Sequence, residues 1–226
     1  MTDEMSVRLV HEPTVEYIDH MGDDLSVERA ARVSFAGDGT VRPPEKTERL
    51  LNYLARHGHW TPFSHTAITL RIQAPIPIRT QCFKHKVGFT ENEESRRYVS
   101  YTPNAFLPTW RESVESKKQG SGAEADSFTS TVADDIYLEQ INNAVKAYEE
   151  LIEIGIAEEQ ARFVLPQGVL VNWYWTGSLS AFARFYKQRS DSHAQKEIQE
   201  IAHKVSEIIE PLFPMSWKAL TSEEES

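Results

Sequence analysis

Side chains able to do chemistry are concentrated between Arg79 and Tyr101, in the stretch R-T-Q-C-F-K-H-K-V-G-F-T-E-N-E-E-S-R-R-Y-V-S-Y. Its 23 residues hold five cationic side chains, one histidine, three carboxylates, Asn92, Ser95 and two tyrosines. A hydrophobic core has no use for so many ionic donors and acceptors. They suit a site that grips a polar anionic ligand, because arginine and lysine meet phosphate through ionic hydrogen bonds. A solvated charged helix and turn has the same composition. Lys84, His85 and Lys86 stand just before Gly88, where cations also complement the negative end of a helix. Three adjacent helical side chains point in different directions. They reach one small ligand only if the helix unwinds at Gly88, or else they face different ligands.

Other candidates lie outside this stretch. His59 and His65 flank T-P-F-S. As a metal pair they lack a third ligand in phase and an HExxH or CxxC pattern, so no metal is expected. Ser95 has no sequence-evident base or orienting acid, which favours a ligand-binding hydroxyl over a nucleophile. No Gly-rich phosphate loop is present, so dinucleotide-fold and P-loop readings fall away. Arg162, Arg189 and Asp191 adjoin apolar or helix-start segments. A buried guanidinium wants a carboxylate or phosphate, so each arginine is an internal ion pair or a ligand contact.

The chain that must position these groups has 226 residues, 40% hydrophobic and 26% charged, with a formal net charge of −10. That is enough to bury a substantial core. The acidic balance argues against a general nucleic-acid binder, which needs a basic face to displace counterions. One cysteine, Cys82, forbids an internal disulfide and fits a reducing compartment. No apolar run approaches a membrane span of about 20 residues, and the N-terminus has no signal-peptide pattern. A cytoplasmic location is the expectation.

The elements follow from periodicity and punctuation. Val7 to Val10 reads as a short strand. Ser26 is placed to cap a helix running to Val33, since its hydroxyl can take a free backbone N–H. Gly37 and Gly39 mark a turn. Pro43-Pro44 opens a helix over Glu45 to His57, with Gly58 as its stop. Thr66 to Gln73 alternates as a half-buried strand. Pro75 and Pro77 end it and begin a helix through Val87, stopped at Gly88. Arg97 to Tyr101 reads as a strand, and 112–130 as a flexible surface excursion. A long helix carries Leu138, Ile141, Val145, Tyr148 and Ile152 at spacings of three and four. Val164 to Trp175 is apolar and aromatic and is followed by a helix to Gln188. Ser192-His193-Ala194-Gln195 is a capping-box pattern. It opens a last helix with the seam Ala194, Ile198, Ile201, Val205, Ile208 and Leu212. Pro214 stops that helix, and 221–226 reads as a frayed tail. No repeat or linker divides the chain, so 1–226 reads as a single domain.

Four separated blocks together resemble the flavin-dependent thymidylate synthases. They are A-A-R-V-S-F at 30–35, G-H-W-T-P-F-S-H at 58–65, the K-H-K…N-E-E-S-R-R-Y block, and A-R-F-V-L-P at 161–166 followed by R-S-D-S-H-A-Q at 189–195. Their order and separation match across about Val7 to Leu220. The family pattern is Arg-His-Arg, seven residues, then Ser. Here it is Lys84-His85-Lys86, eight residues, then Ser95. Lysine keeps the charge and loses the planar fork. The family also often has Glu where Ser64 stands, and Asn and Arg where Ser178 and Ser180 stand.

The resemblance implies an α+β fold, an antiparallel sheet flanked by helices, and a homotetramer with sites shared among subunits. It implies reductive methylation of dUMP to dTMP. FAD reduced by NADPH is the hydride source and methylenetetrahydrofolate the carbon donor. It places dUMP against Gln81, Lys84, Glu93, Glu94, Ser95, Arg96, Arg97, Arg162 and Arg189, with Arg189 over the uracil as the catalytic group. It places FAD against Thr61, Lys84, His85, Lys86 and Glu93, and also Ser178, Ser180, Arg184, His59 and His193. Tyr98 and His59 line the folate or flavin region. The aromatic run Trp173-Tyr174-Trp175 fits either a subunit interface or a plain core. Two other classes remain open on sequence: a non-catalytic nucleotide-binding module, and a metal hydrolase built on His59, His65 and His85.

Overall fold

The computed structural model describes residues 7–35, 42–115 and 120–222. Its architecture is the α+β one, with helices around an antiparallel sheet. In chain order come β1 (Leu9–Val10), β2 (Thr14–Met21), α1 (Asp24–Arg32), α2 (Pro44–Arg56), β3 (Ala67–Pro75) and α3 (Ile76–Cys82). Then follow β4 (Phe89–Glu93), β5 (Ala105–Phe106), α4 (Ser127–Glu153), α5 (Glu158–Ala161), β6 (Leu170–Gly177), α6 (Leu179–Arg189), α7 (Lys196–Ile209) and α8 (Pro214–Thr221). The four-stranded sheet has the order β2-β3-β6-β4, and β1 pairs separately with β5 in parallel. Two compact units result. One comprises Met1–Thr14, Gln73–Cys82 and Glu93–Trp173; the other comprises Val15–Ile72, Phe83–Asn92 and Tyr174–Ser226.

The first unit is built on α4. Asp126 caps it, accepting from the N–H groups of Phe128 and Thr129 at 2.9 and 3.0 Å. The apolar periodicity is realised: Ile141 and Val145 pack with Val7 and Ala105, and Tyr137, Leu9 and Leu165 close the cluster. Tyr137 donates its hydroxyl to the Phe106 carbonyl and lies over Gly168, where a Cβ would fall 1.8 Å from that hydroxyl. Only glycine allows this approach. The excursion expected over 112–130 is narrower than its composition suggests. Arg111 and Glu124 form a bridge, α4 already starts at Ser127, and 116–119 lie outside the described residues.

The second unit carries most of the sheet. Ile68, Leu70 and Ile72 of β3 are fully buried, as their alternation requires. Phe89 stacks on Trp175 at 4.1 Å, and Phe182 and Phe185 meet the same indole edge-on. Trp175 is buried while Tyr174 is half-exposed, so that indole is core and the tyrosine faces outward; Trp173, the last residue of the first unit, is buried as well. Asp24 is buried and accepts from the N–H groups of Met215 and Ser216, tying α1 to the start of α8.

Several expectations are corrected. Asp23, not Ser26, caps α1, accepting from Ser26 N at 2.6 Å; a carboxylate three residues upstream outcompetes the hydroxyl. The helix after Pro75 ends at Cys82, so 84–86 lie on a turn. Arg97–Tyr101 is not a strand; the strand is β4, eight residues earlier. The capping box at Ser192 does not form, because Asp191 organises that turn and α7 begins at Lys196. Ile209, rather than Ile208, continues the buried seam of α7. Past Pro214 the chain forms α8 and ends it at Thr221; 223–226, like Gly37 and Gly39, lie outside the described residues.

Candidate active site

Within the first unit a cavity of about 310 Å³ has a floor of Ile76, Leu165, Val169 and Val171. Its polar wall is Arg79, Glu93, Glu94, Ser95, Arg96 and Arg162. Three elements supply that wall. Helix α3 presents Arg79, the end of β4 and the following turn present 93–96, and the turn after α5 presents Arg162. The β4 extension is held in place by Glu94 N donating to Asn172 O at 2.9 Å. Arg79 Nε lies 2.9 Å from a Glu93 carboxylate oxygen. Burial pushes the Glu93 carboxyl above its ordinary value, against the opposing pull of Arg79 and Arg162.

Other members of the wall are committed locally. Arg96 donates to Tyr101 O at 2.6 Å and lies 4.6 Å over the Tyr101 ring. Glu94 accepts the Tyr101 hydroxyl. Ser95 Oγ accepts from Arg97 N at 3.2 Å and keeps its own O–H to donate. Arg162 donates Nε to Glu159 O at 3.1 Å. Arg97 pairs with Glu159 at 2.9 Å, and neither it nor Gln81 is among the residues lining the cavity. Tyr98 is exposed.

The second unit has its own polar cluster. Gly88, at φ +81°, closes the turn carrying Lys84, His85 and Lys86. A Cβ on Gly88 would sit 3.0 Å from that of Ala181 and 3.3 Å from Ser178 Oγ. The turn is fastened to the start of α6: Ser178 N donates to Gly88 O at 3.2 Å, and Arg184 Nη2 donates to Val87 O at 2.7 Å. From the far end of α6, Arg189 Nε donates to His85 Nε2 at 2.9 Å. His85 must therefore carry its ring proton on Nδ1. Burial, then Arg189 and Arg184, lower its pKa to about 4, so the ring is neutral at pH 7. Lys84 and Lys86 are exposed, and Lys86 pairs with Glu91.

Ser178 caps α6. Ser180 is buried, with Ser64 Oγ at 2.7 Å and Ser178 Oγ at 3.2 Å. His193 is exposed and bonded to Asp191, whose carboxyl is held below its ordinary value first by the backbone N–H of His193. A separate cavity of about 410 Å³ is lined by Ala30, Ala31, Ser34 and Leu54 together with His59, Trp60, Thr61 and His65. It joins the first two sequence blocks.

The family model described as thymidylate synthase complementing protein matches residues 16–215. The chain belongs to this family. Curated relatives of the family are flavin-dependent thymidylate synthases. That of Thermosipho africanus is 37% identical over 216 residues, covering 95% of this chain and 93% of the relative. One from Thermus thermophilus is 33% identical over 224 residues, covering 97% and 79%. A solved UMP/dUMP methylase, PolB from Streptomyces cacaoi bound with 5-Br UMP, superposes with a TM-score of 0.86 at 28% identity, covering 95% of this chain and 96% of that one.

Set against the positions expected from the thymidylate synthase resemblance, the first cavity gathers Glu93, Glu94, Ser95, Arg96 and Arg162. His85, Ser178, Arg184 and Arg189 form the second-unit cluster, and Lys84 and Lys86 lie exposed on the same turn. Thr61 and His59 line the other cavity. Arg79 was missed. Its signal was available: Arg79 and Gln81 on one helix point about 200° apart, so only one of them can face the β4 carboxylates. Among the described residues no group of three or more His, Cys, Asp or Glu side chains could hold a metal ion, and no helix is long and apolar enough to cross a membrane.

Proposed function

We propose that this chain converts dUMP to dTMP, taking the carbon from methylenetetrahydrofolate and the reducing equivalents from NADPH through FAD. The observation that carries this reading is near-full-length likeness to flavin-dependent thymidylate synthases, joined to a cavity whose guanidinium, carboxylate and hydroxyl groups suit a nucleotide. The first-unit arginines and Ser95 would bind the anionic nucleotide and fix its orientation.

The residues also fit FAD. Lys84 and Lys86 present exposed cations suited to a diphosphate, and the missing Cβ of Gly88 lets the turn lie against α6. Thr61, His59, Ser178, Ser180, Arg184 and His193 are the further candidates, with neutral His85 offering a single Nδ1–H donor. FAD, when bound, carries hydride from NADPH toward the new methyl group. Arg189 would stabilise negative charge growing on the pyrimidine as C5 becomes nucleophilic, an interaction stronger in the transition state than in the ground state. His85 holds that guanidinium by accepting from Nε.

The active form is proposed to be a cytoplasmic homotetramer, with the whole chain working as one functional domain. UMP is a second candidate substrate, because solved neighbours are UMP/dUMP methylases bound with 5-Br UMP and 5-Br dUMP. The test is the absorbance spectrum of the purified protein, followed by NADPH oxidation and product analysis with dUMP and with UMP. A flavin spectrum and dTMP formation requiring dUMP, folate and NADPH together are expected. Methylation of UMP alone would move the assignment to the second substrate. A colourless protein that takes up no flavin and forms no methylated nucleotide would overturn both.

A further inference from the structure

We propose that Arg79 is a phosphate-recognising residue of the first-unit cavity, held by Glu93 in the free enzyme and handed to the phosphate of the nucleotide on binding. The inference deepens, and rests on, the reading of that cavity as a nucleotide site. Arg79 comes from α3 and Arg162 from the turn after α5, and both act on Glu93. Two cations thus share one half-buried carboxylate. The remaining charges on the wall do not change that balance. Arg96 is spent on the Tyr101 carbonyl and ring, and Glu94 on the Tyr101 hydroxyl. The cavity therefore keeps a cationic excess beside a hydroxyl, Ser95, that still has a proton to donate.

A phosphate monoester matches this excess in charge and shape. It brings up to two negative charges and three acceptor oxygens to a planar fork that prefers paired acceptors. Glu93 keeps Arg79 aimed into the cavity before the ligand arrives, so binding exchanges one anionic partner for another. This preorganisation spares the cost of ordering a long side chain at the moment of binding. The raised carboxyl of Glu93 suits the exchange, because such a group takes up a proton readily when a second anion approaches. A purely architectural Arg79–Glu93 pair makes a different forecast: its loss would weaken a phosphorylated and an unphosphorylated nucleotide alike.

The experiment is calorimetric titration of flavin-loaded wild type, Arg79→Gln and Arg79→Lys with dUMP and with deoxyuridine, which lacks the phosphate. Removing one charge-assisted contact is expected to raise the Kd for dUMP about tenfold or more, while the Kd for deoxyuridine stays within about twofold. Arg79→Lys should fall between, since a point charge replaces the fork. Equal losses for both ligands, or none, overturn the inference and leave the nucleotide reading standing. If Arg79→Gln does not fold, Arg79→Lys decides: a dUMP-to-deoxyuridine preference unchanged from wild type overturns the inference. A folded wild type that binds neither ligand overturns the nucleotide reading and this inference with it.

Discussion

The contact between Arg189 and His85 supports a quantitative prediction. Arg189 Nε has a neutral imidazole nitrogen as its acceptor at 2.9 Å. Replacing His85 by Phe keeps an aromatic ring where the imidazole packs edge-on against Phe185 at 5.1 Å, and it removes the acceptor. A hydrogen bond to a charged donor contributes about 1.5–3 kcal/mol net. If that whole amount is needed to hold Arg189 in its working geometry, kcat falls about 10- to 150-fold. His85→Gln sets a carbonyl oxygen at a similar reach and should recover most of the loss. The assay is dTMP formation at saturating dUMP, with flavin content and melting temperature measured on the same samples. Arg189→Ala should lower turnover by about 10²–10³ and make the two changes non-additive, so that the double variant is no slower than Arg189→Ala. Fully additive losses, or Gln and Phe variants equally slow, would refute the coupling. The pH dependence adds a check. His85 titrates at about 4, lowered by burial, Arg189 and Arg184. Its acceptor is intact above that value, so it contributes no limb near pH 6.5. Because the unfolded ring protonates from about 6.5, its contribution to stability is complete above 6.5 and is lost as pH falls toward 4.

Three further outcomes follow from single substitutions. Cys82 is fully buried at the end of α3, so Cys82→Ala should remain active. Ser95→Ala should keep turnover with a raised KM for dUMP, and intact-mass analysis during turnover should detect no nucleotide adduct on either side chain. Glu28 is buried and accepts from Thr47 Oγ1 at 2.6 Å and Arg32 Nε at 2.6 Å. Burial raises its carboxyl, but the Thr47 and Arg32 contacts outweigh it and lower the pKa. Its stabilisation is therefore present above the ordinary glutamate value of about 4.3 and lost as pH falls through the folded value. Thr47→Val should cost about 1–3 kcal/mol in urea denaturation at pH 7, with the gap to wild type closing in acid.

Much of the fold was legible where local signals agree with packing. Pro43-Pro44 and Gly58 do bound α2, with Gly58 at φ +67°, and the alternation of β3 is its burial pattern. Strand β4 was not legible, for a physical reason. Its inward positions are Phe89, Glu91 and Glu93, while Thr90 and Asn92 are exposed. The alternation is regular, but two of the three inward residues are carboxylates, tolerable only because Lys86 and Arg79 meet them. The five residues from Arg97 have strand-like composition and no partner strand, so propensity misled there. The pairing of His85 with Arg189 spans 104 positions. No local pattern encodes it, and the same holds for Arg79 and Glu93, which only the return of β4 brings together.

The interleaving of the two units bears on how the chain is made. It passes between them five times, and the first unit is complete by Trp173, while the second waits for Tyr174–Ser226. The last strand to be synthesised among the described residues, β6, lies between β3 and β4 in the sheet. Until its final residues leave the ribosome, β3 and β4 each lack a neighbour, and the rows of unpaired amides they expose are templates for pairing with another chain. Residues 174–226 thus supply the second unit only after the first has been made. Premature termination before Gly177, which leaves β6 incomplete, should yield an aggregating product instead of a smaller folded one.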